Sequence, residues 1–157
     1  MSADGPPDEQ LSDQLSDYDF DPEKLTLRLQ VTLAADKSAI DAVVQQVMDT
    51  IRQTNCANGK EDAIELALNE ALANAVVHGA KEDPSKTIEC VVACDEERGM
   101  IIVVRDPGSG FDPTAIPTPT VGQNIYSNHG RGIFLINQLM DEVKFRKNGT
   151  EIHMVKR

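Results

Sequence analysis

Long apolar runs are missing from the 157-residue sequence, and none approaches the roughly 20 residues that a membrane-spanning helix needs. Its beginning lacks the basic-then-apolar pattern of a signal peptide, so the cytoplasm is the expected location. Cysteine is scarce: Cys56, Cys90 and Cys94 lack metal-ligand spacing. We expect all three to be reduced and buried by packing. No internal repeat is visible.

Positive charge is absent from residues 1–23, which hold eight of the 26 acidic residues and none of the 15 basic ones. This segment is rich in Asp, Ser, Gln and Pro and poor in large apolar side chains. It cannot offset the entropy cost of ordering, so we expect a disordered acidic tail, with solvation favoured over docking as its role. Residues 24–157 are only mildly acidic and lack a basic face, so direct nucleic-acid binding is not expected.

Hydrophobic periodicity predicts one α+β domain over residues 24–157. Apolar residues alternate along strands and recur every three or four residues along helices. The Asn148-Gly149 pair is a strong hairpin signal. The order predicts a two-layer sandwich, with helices on one face of a mixed, mostly antiparallel sheet. The expected strands are 24–33, 86–94, 100–105, 143–147 and 150–155, and the expected helices are 35–54, 61–77 and 130–140.

The apolar stretch 100–104 runs directly into Arg-Asp-Pro-Gly-Ser-Gly-Phe at 105–111. A carboxylate at the end of a strand, here Asp106, can accept a hydrogen bond from an exocyclic amine such as N6 of adenine. Gly108 and Gly110 let bare backbone approach a ligand. An ordinary tight turn that begins with Asp has the same composition. Residues 112–129, which contain three prolines, follow as a long loop of the kind that often serves as a lid.

Gly130-Arg131-Gly132 opens a predicted helix, and the positive end of a helix with bare glycines is a ready anion site. No Gly-Lys-Ser/Thr follows, so this is not the nucleotide P-loop, and the context of the dinucleotide fingerprint is also missing. Arg131 either pairs with a terminal phosphate or points to solvent.

Glu70, Asn74 and His78 are spaced four residues apart on a predicted helix and therefore line one stripe. The Asn74 amide offers an oxygen to Mg²⁺, which typically takes one or two protein oxygens besides phosphates and water. Glu70 has the chemistry of a general base. An exposed helix face would also carry such residues, and for His78 a contact with the helix end is favoured over catalysis.

These three stretches together resemble a known superfamily. Residues 70–79, Glu-Ala-Leu-Ala-Asn-Ala-Val-Val-His-Gly, resemble the N-box of the Bergerat-fold ATPases, shared by gyrase, histidine kinases and heat-shock chaperones. Residues 106–111 resemble the G1 box and 130–132 the G2 box. Lys147-Asn-Gly-Thr150 is similar to the closing element. The small size and residues 130–143 resemble the anti-sigma-factor serine kinases of bacterial stress and sporulation control. The resemblance covers residues 24–157.

The resemblance implies a histidine-kinase-like fold that binds ATP and Mg²⁺. Glu70 would be the general base that acts on a partner's serine, and Asn74 would be the metal ligand. Asp106 would read adenine, and residues 112–129 would be the ATP lid. The remaining implied nucleotide contacts are Gly108 and Gly110 at the base, Gly130, Arg131 and Gly132 at the phosphates, and Thr150 at the closing element.

Members of this family phosphorylate a small anti-anti-sigma (STAS-type) protein and otherwise hold a sigma factor inactive, and many are dimers. The resemblance thus implies a cytoplasmic, homodimeric serine kinase and anti-sigma factor. The alternative is a partner switch that binds ATP but transfers nothing, although the intact Glu70 favours an enzyme. A third hypothesis, the catalytic domain of a histidine kinase, is disfavoured because no phospho-acceptor helix pair precedes residue 24.

Overall fold

Five strands form one sheet in the computed structural model, which describes residues 14–108 and 128–157. The spatial order is β1-β2-β3-β5-β4, and all four neighbouring pairs are antiparallel. The strands are β1 (Leu27–Ala34), β2 (Thr87–Asp95), β3 (Gly99–Arg105), β4 (Glu142–Arg146) and β5 (Glu151–Lys156).

Three helices cover one face of this sheet. They are α1 (Ile40–Thr54), α2 (Glu61–Asn74) and α3 (Asn128–Leu139). A 3-10 turn, Lys37–Ala39, leads into α1, and a π-helical turn, Ala75–Gly79, extends α2. The apolar stripe predicted for α1 is buried as expected, and the main core lies between helices and sheet. The predicted α+β class with helices on one face is therefore confirmed. No helix in the described ranges is long and apolar enough to cross a membrane.

Strand pairing places the ends of β3 and β5 side by side. Arg105 is paired with Glu151 in the register of the two strands, and the Asp106 N–H donates to the Thr150 carbonyl oxygen at 2.9 Å. The predicted hairpin turn is present, since Asn148 and Gly149 have φ values of 59° and 85°. Two residues that lie 44 positions apart in the chain, Asp106 and Thr150, thus become neighbours at one end of the sheet.

The other face of the sheet is covered by the N-terminal segment. Leu15, Tyr18 and Phe20 are buried there and pack against strand residues that include Ile101 and Val103. The expectation of a disordered tail over 1–23 therefore does not hold for residues 14–23, and 1–13 lie outside the described ranges. The reason is that three large apolar side chains within six positions meet a complementary apolar face, so burial offsets the ordering cost.

A buried polar network fastens this segment to the sheet. Glu151 and His153 are each only 2% exposed. Glu151 Oε1 accepts a hydrogen bond from Gln14 Nε2 at 3.0 Å and lies 2.5 Å from His153 Nε2. Tyr18 Oη lies 2.9 Å from His153 Nδ1, and Arg105 Nε donates to Glu151 Oε2 at 2.8 Å. Burial alone would raise the pKa of Glu151, but the His153 hydrogen bond and the Arg105 charge outweigh it and hold that pKa at about 2.

This depressed pKa predicts acid sensitivity. Because the folded pKa lies below the reference value of 4.5, ionised Glu151 stabilises the fold at neutral pH. That contribution, on the order of 2 to 3 kcal/mol, is lost as pH falls from about 4.5 toward 2. Urea unfolding at a series of pH values measures the loss. Glu151→Gln should be less stable at pH 7 and should decline less steeply below pH 4.5. An equally steep decline in this variant would remove Glu151 as the cause.

The cysteines differ from the sequence interpretation. The structure joins Cys56 and Cys94, which are 38 positions apart in the chain, as a disulfide with Cα atoms 6.1 Å apart. Cys90 remains a thiol, and its complete burial raises its pKa to about 12. The expectation that all three are reduced fails for Cys56 and Cys94, because only the tertiary structure brings the turn after α1 to the end of β2.

Candidate nucleotide site

A cavity of about 220 Å³ opens between the end of α2, the end of β3 and the turn from β4 to β5. Its wall combines apolar side chains that suit the flat faces of an aromatic ring with polar groups that can form hydrogen bonds to the ring edge. The apolar lining includes Ala71, Ala75, Val104, Phe145 and Ile152, and the polar lining includes Asn74, His78, Lys81, Asp106 and Thr150.

A second cavity of about 440 Å³ adjoins the first, and Asn74 and His78 line both. The second cavity carries more charge than the first, because Lys37, Glu70 and Arg131 line it. The shared wall makes the two cavities one extended site, with Lys81 and Asp106 in the first part and Lys37, Glu70 and Arg131 in the second.

The four-residue spacing on α2 produces this arrangement. Asn74 is the last residue of α2, and Glu70 lies one turn before it, so both side chains point to the second cavity. His78 lies one turn further, in the π-helical turn, and lines both cavities. π-helical turns are frequent at functional sites. Burial and the charge of Lys81 lower the pKa of His78, which favours its neutral form.

Asp106 is held by the backbone around it. Its Oδ1 accepts the Gly108 N–H at 2.8 Å. Burial raises the pKa of Asp106, and this hydrogen bond opposes the shift. A Cβ at Gly79 would come within 2.6 Å of Asp106 Oδ1, and a Cβ at Gly108 would meet the Gly79 carbonyl oxygen. The two glycines therefore let the end of α2 approach the end of β3 closely enough to place Asp106 in the cavity wall.

Gly132 permits a second close approach, between α3 and α2. A Cβ at this position would lie 2.8 Å from Glu70 Oε2 and 3.5 Å from Asn74 Oδ1. The helix begins at Asn128 rather than at Gly130, so Gly130 and Arg131 lie in its first turn and Gly132 begins the second. Arg131 and Gly132, near the start of this helix, line the second cavity, and an anion site at the helix N-terminus stays a prediction.

The family of histidine kinase-like ATPase domains matches residues 33–156, a range that includes every residue lining the two cavities. The chain belongs to this family. The predicted histidine-kinase-like fold is thereby confirmed.

Two curated relatives extend the comparison to function. The serine-protein kinase RsbW of Bacillus subtilis (strain 168) is 32% identical over 102 residues, which cover 59% of this chain and 62% of the relative. Serine-protein kinase RsbW of Staphylococcus aureus (strain MSSA476) is 36% identical over 103 residues, 61% of this chain and 64% of the relative. The chain thus matches less than two-thirds of each relative's length. These similarities confirm the predicted relationship to the serine kinases of this superfamily.

Most of the predicted site residues of this histidine kinase-like domain meet at the two cavities. Gly108 donates its N–H to Asp106 Oδ1. Gly110 lies outside the described residues, as does most of the predicted lid, 112–127. The individual roles of these residues remain predictions. The residues that meet at the cavities are Glu70, Asn74, Asp106, Arg131, Gly132 and Thr150.

Sequence reasoning missed two lysines of the site. Lys81 lines the first cavity two residues after Gly79, and its positive φ of 57° is a backbone feature that only the structure reveals. Lys37 lines the second cavity from the turn before α1. Neither belongs to a motif, so only spatial proximity identifies them. His78, for which a helix-end contact was favoured, lines both cavities.

The donors near Asn74 fit Mg²⁺ of the kind that nucleotides carry. No group of three His, Cys, Asp or Glu side chains suited to a metal ion occurs in the described part of the chain. The available oxygens are the Asn74 amide and the Glu70 carboxylate, which line the same cavity. Mg²⁺ commonly binds through one or two protein oxygens and completes its shell with phosphates and water. These residues therefore fit a magnesium ion that arrives with phosphate oxygens.

Proposed function

We propose that this protein is an ATP- and Mg²⁺-dependent serine kinase that also acts as an anti-sigma factor. It phosphorylates a serine of an anti-anti-sigma (STAS-type) protein and sequesters a sigma factor in a partner-switching pathway. The observation that carries the proposal is the placement of the Glu70 carboxylate in a charged cavity that shares Asn74 and His78 with the nucleoside-sized cavity. The similarity to two serine-protein kinases supports the same reaction.

The first cavity binds the nucleoside in this proposal. Asp106 accepts a hydrogen bond from the adenine N6 amine, and the apolar side chains of Val104, Phe145 and Ile152 flank the ring and exclude water. Gly79 and Gly108 keep the space beside Asp106 free of side-chain atoms. Thr150 lines the same cavity directly beside Asp106, whose N–H donates to the Thr150 carbonyl oxygen at 2.9 Å, and it contacts the nucleotide from there.

The second cavity serves the transfer step. Asn74 holds Mg²⁺, which when bound neutralises phosphate charge, and Arg131 with the first turn of α3 binds phosphate oxygens. Glu70 accepts the proton of the incoming serine hydroxyl. The serine oxygen then forms a bond to the terminal phosphorus while the bond to the ADP oxygen breaks.

Labelled ATP tests the reaction. The purified protein is incubated with ATP labelled at the terminal phosphate, Mg²⁺ and a candidate STAS-type protein. Label on a partner serine is the expected result. Nucleotide binding without any transfer would favour the alternative, a non-catalytic ATP-binding partner switch. Label on a histidine of the protein itself would instead indicate a histidine kinase.

The assembly and setting are also proposals. The family resemblance supports a homodimer that works in the cytoplasm and contacts a sigma factor rather than nucleic acid. Sedimentation of the full chain at micromolar concentration tests the dimer, and a monomer at all concentrations would contradict it.

Asp106→Ala should weaken ATP binding by roughly 10- to 100-fold, since hydrogen bonds to charged groups contribute about 1.5 to 3 kcal/mol. Inosine triphosphate provides the matched probe because it carries an oxygen where adenine carries the N6 amine. The wild type should prefer ATP, and the variant should lose that preference. Calorimetric titration measures both affinities. Equal affinities of the wild type for the two nucleotides would remove Asp106 as the base-reading group.

A further inference from the structure

Lys37 occupies a defined position at the second cavity although it lies outside all the nucleotide-binding motifs. It begins the 3-10 turn between β1 and α1. Asp36 caps this turn, and its Oδ1 accepts the Ser38 N–H at 2.9 Å, which fixes the backbone on both sides of Lys37. The Lys37 side chain then lines the cavity together with Glu70, Asn74 and Arg131.

The order of the two cavities determines which part of a nucleotide meets Lys37. With the base beside Asp106 in the first cavity, the phosphate chain passes the shared wall of Asn74 and His78. The terminal phosphoryl group, the part most distant from the base, then enters the second cavity. Lys37 lines only this second cavity, whereas Lys81 lines only the first.

The current partner of Lys37 holds it weakly. Lys37 Nζ lies 3.6 Å from Glu82 Oε1, and the two side chains are 64% and 52% exposed. Exposed pairs of this kind contribute about 0 to 1 kcal/mol. A phosphate group carries more charge and more acceptor oxygens than a carboxylate, so it competes well for the ammonium group. Glu82 thus keeps Lys37 near the cavity without preventing an exchange of partners.

We propose that Lys37 binds the terminal phosphoryl group of ATP and leaves Glu82 when it does so. This inference rests on the proposed function and adds to it a residue that distinguishes the triphosphate from the diphosphate. Because Lys37 and Glu70 line the same cavity, the positive charge of Lys37 also faces the space in which the phosphoryl group is transferred. ADP, which lacks the terminal group, leaves Lys37 paired with Glu82.

Comparison of ATP and ADP affinities tests the proposal in the full-length chain. Lys37→Met should weaken ATP binding about 10-fold and change ADP binding by less than about twofold, because only ATP reaches Lys37. Lys37→Arg should retain most of the ATP affinity. Lys24→Met is the matched control, since this exposed lysine lines neither of the two cavities, and its affinities should equal those of the wild type.

Glu82→Gln distinguishes phosphate binding by Lys37 from a purely structural role of the Lys37–Glu82 ion pair. If Lys37 acted only by pairing with Glu82, both variants would weaken ATP and ADP equally, and that result would overturn the proposal. Unchanged ATP affinity in Lys37→Met would also overturn it. A wild type that binds neither nucleotide would instead refute the proposed function itself. The expected result is loss of ATP affinity in Lys37→Met alone.

Discussion

Replacement of Glu70 by alanine should lower phosphoryl transfer at least 100-fold while ATP affinity stays within about twofold of the wild type, since a positioned general base contributes about 10²- to 10⁴-fold. The Glu70 side chain lines the charged cavity one helical turn before Asn74. It does not line the cavity assigned to the nucleoside. Initial rates of label transfer at saturating ATP, combined with calorimetric titration, separate the two quantities.

Glu70→Gln makes the test sharper, because glutamine keeps the size of the side chain beside Gly132 but cannot accept the proton. This variant should be as slow as Glu70→Ala. Glu65→Gln, a change on the same helix α2 that affects the ion pair to Arg52 at 3.5 Å, is the control and should transfer normally. Near-normal transfer by Glu70→Gln would end the assignment of Glu70 as base.

Local sequence signals predicted those parts of the site that lie on one element. Glu70 and Asn74 share a helix, so a spacing of four residues is sufficient to place them on one face. Asp106 follows a strand whose apolar run is visible in the sequence, and the hairpin before Thr150 has its own signal at Asn148-Gly149. In each case the information is contained in a few neighbouring residues.

Contacts between distant segments were not predictable in this way. The burial of Tyr18 and Phe20 depends on an apolar outer sheet face that β2, β3 and β5 form together. Composition gave the wrong answer for this segment because the acidic residues outnumber the few apolar ones that pack. Lys37 and the Cys56–Cys94 disulfide likewise depend on tertiary proximity. Neither hydrophobic periodicity nor composition indicates which residues from distant segments will meet.

The alternation of side chains along β3 and β5 links the nucleoside cavity on one face of the sheet to the buried polar network on the other face. Val104 of β3 and Ile152 of β5 line the nucleoside cavity. The residues directly beside them in the chain, Arg105 and Glu151, form the ion pair of the buried network on the opposite face. Because neighbouring residues of a strand point to opposite faces, the segment 14–20 is fastened to the backbone that also presents the nucleotide contacts. The fold therefore ties the ordering of its N-terminal segment to the geometry of the site.

Asn74→Ala should abolish Mg²⁺-dependent nucleotide binding. Asn74 lines both cavities, and its Oδ1 is the amide oxygen placed beside Glu70 and Gly132. We expect a loss of ATP affinity of at least roughly 100-fold, since even residues that only support metal ligands cost up to about that factor when removed. Calorimetric titration in Mg²⁺ and then in EDTA measures this. The wild type should lose affinity in EDTA, whereas the variant should show no further loss.

Asn69→Ala is the control, because Asn69 lies on the same helix and donates to the Glu65 carbonyl oxygen at 3.2 Å. Magnesium-dependent binding that persists in Asn74→Ala at wild-type strength would exclude Asn74 as the metal ligand.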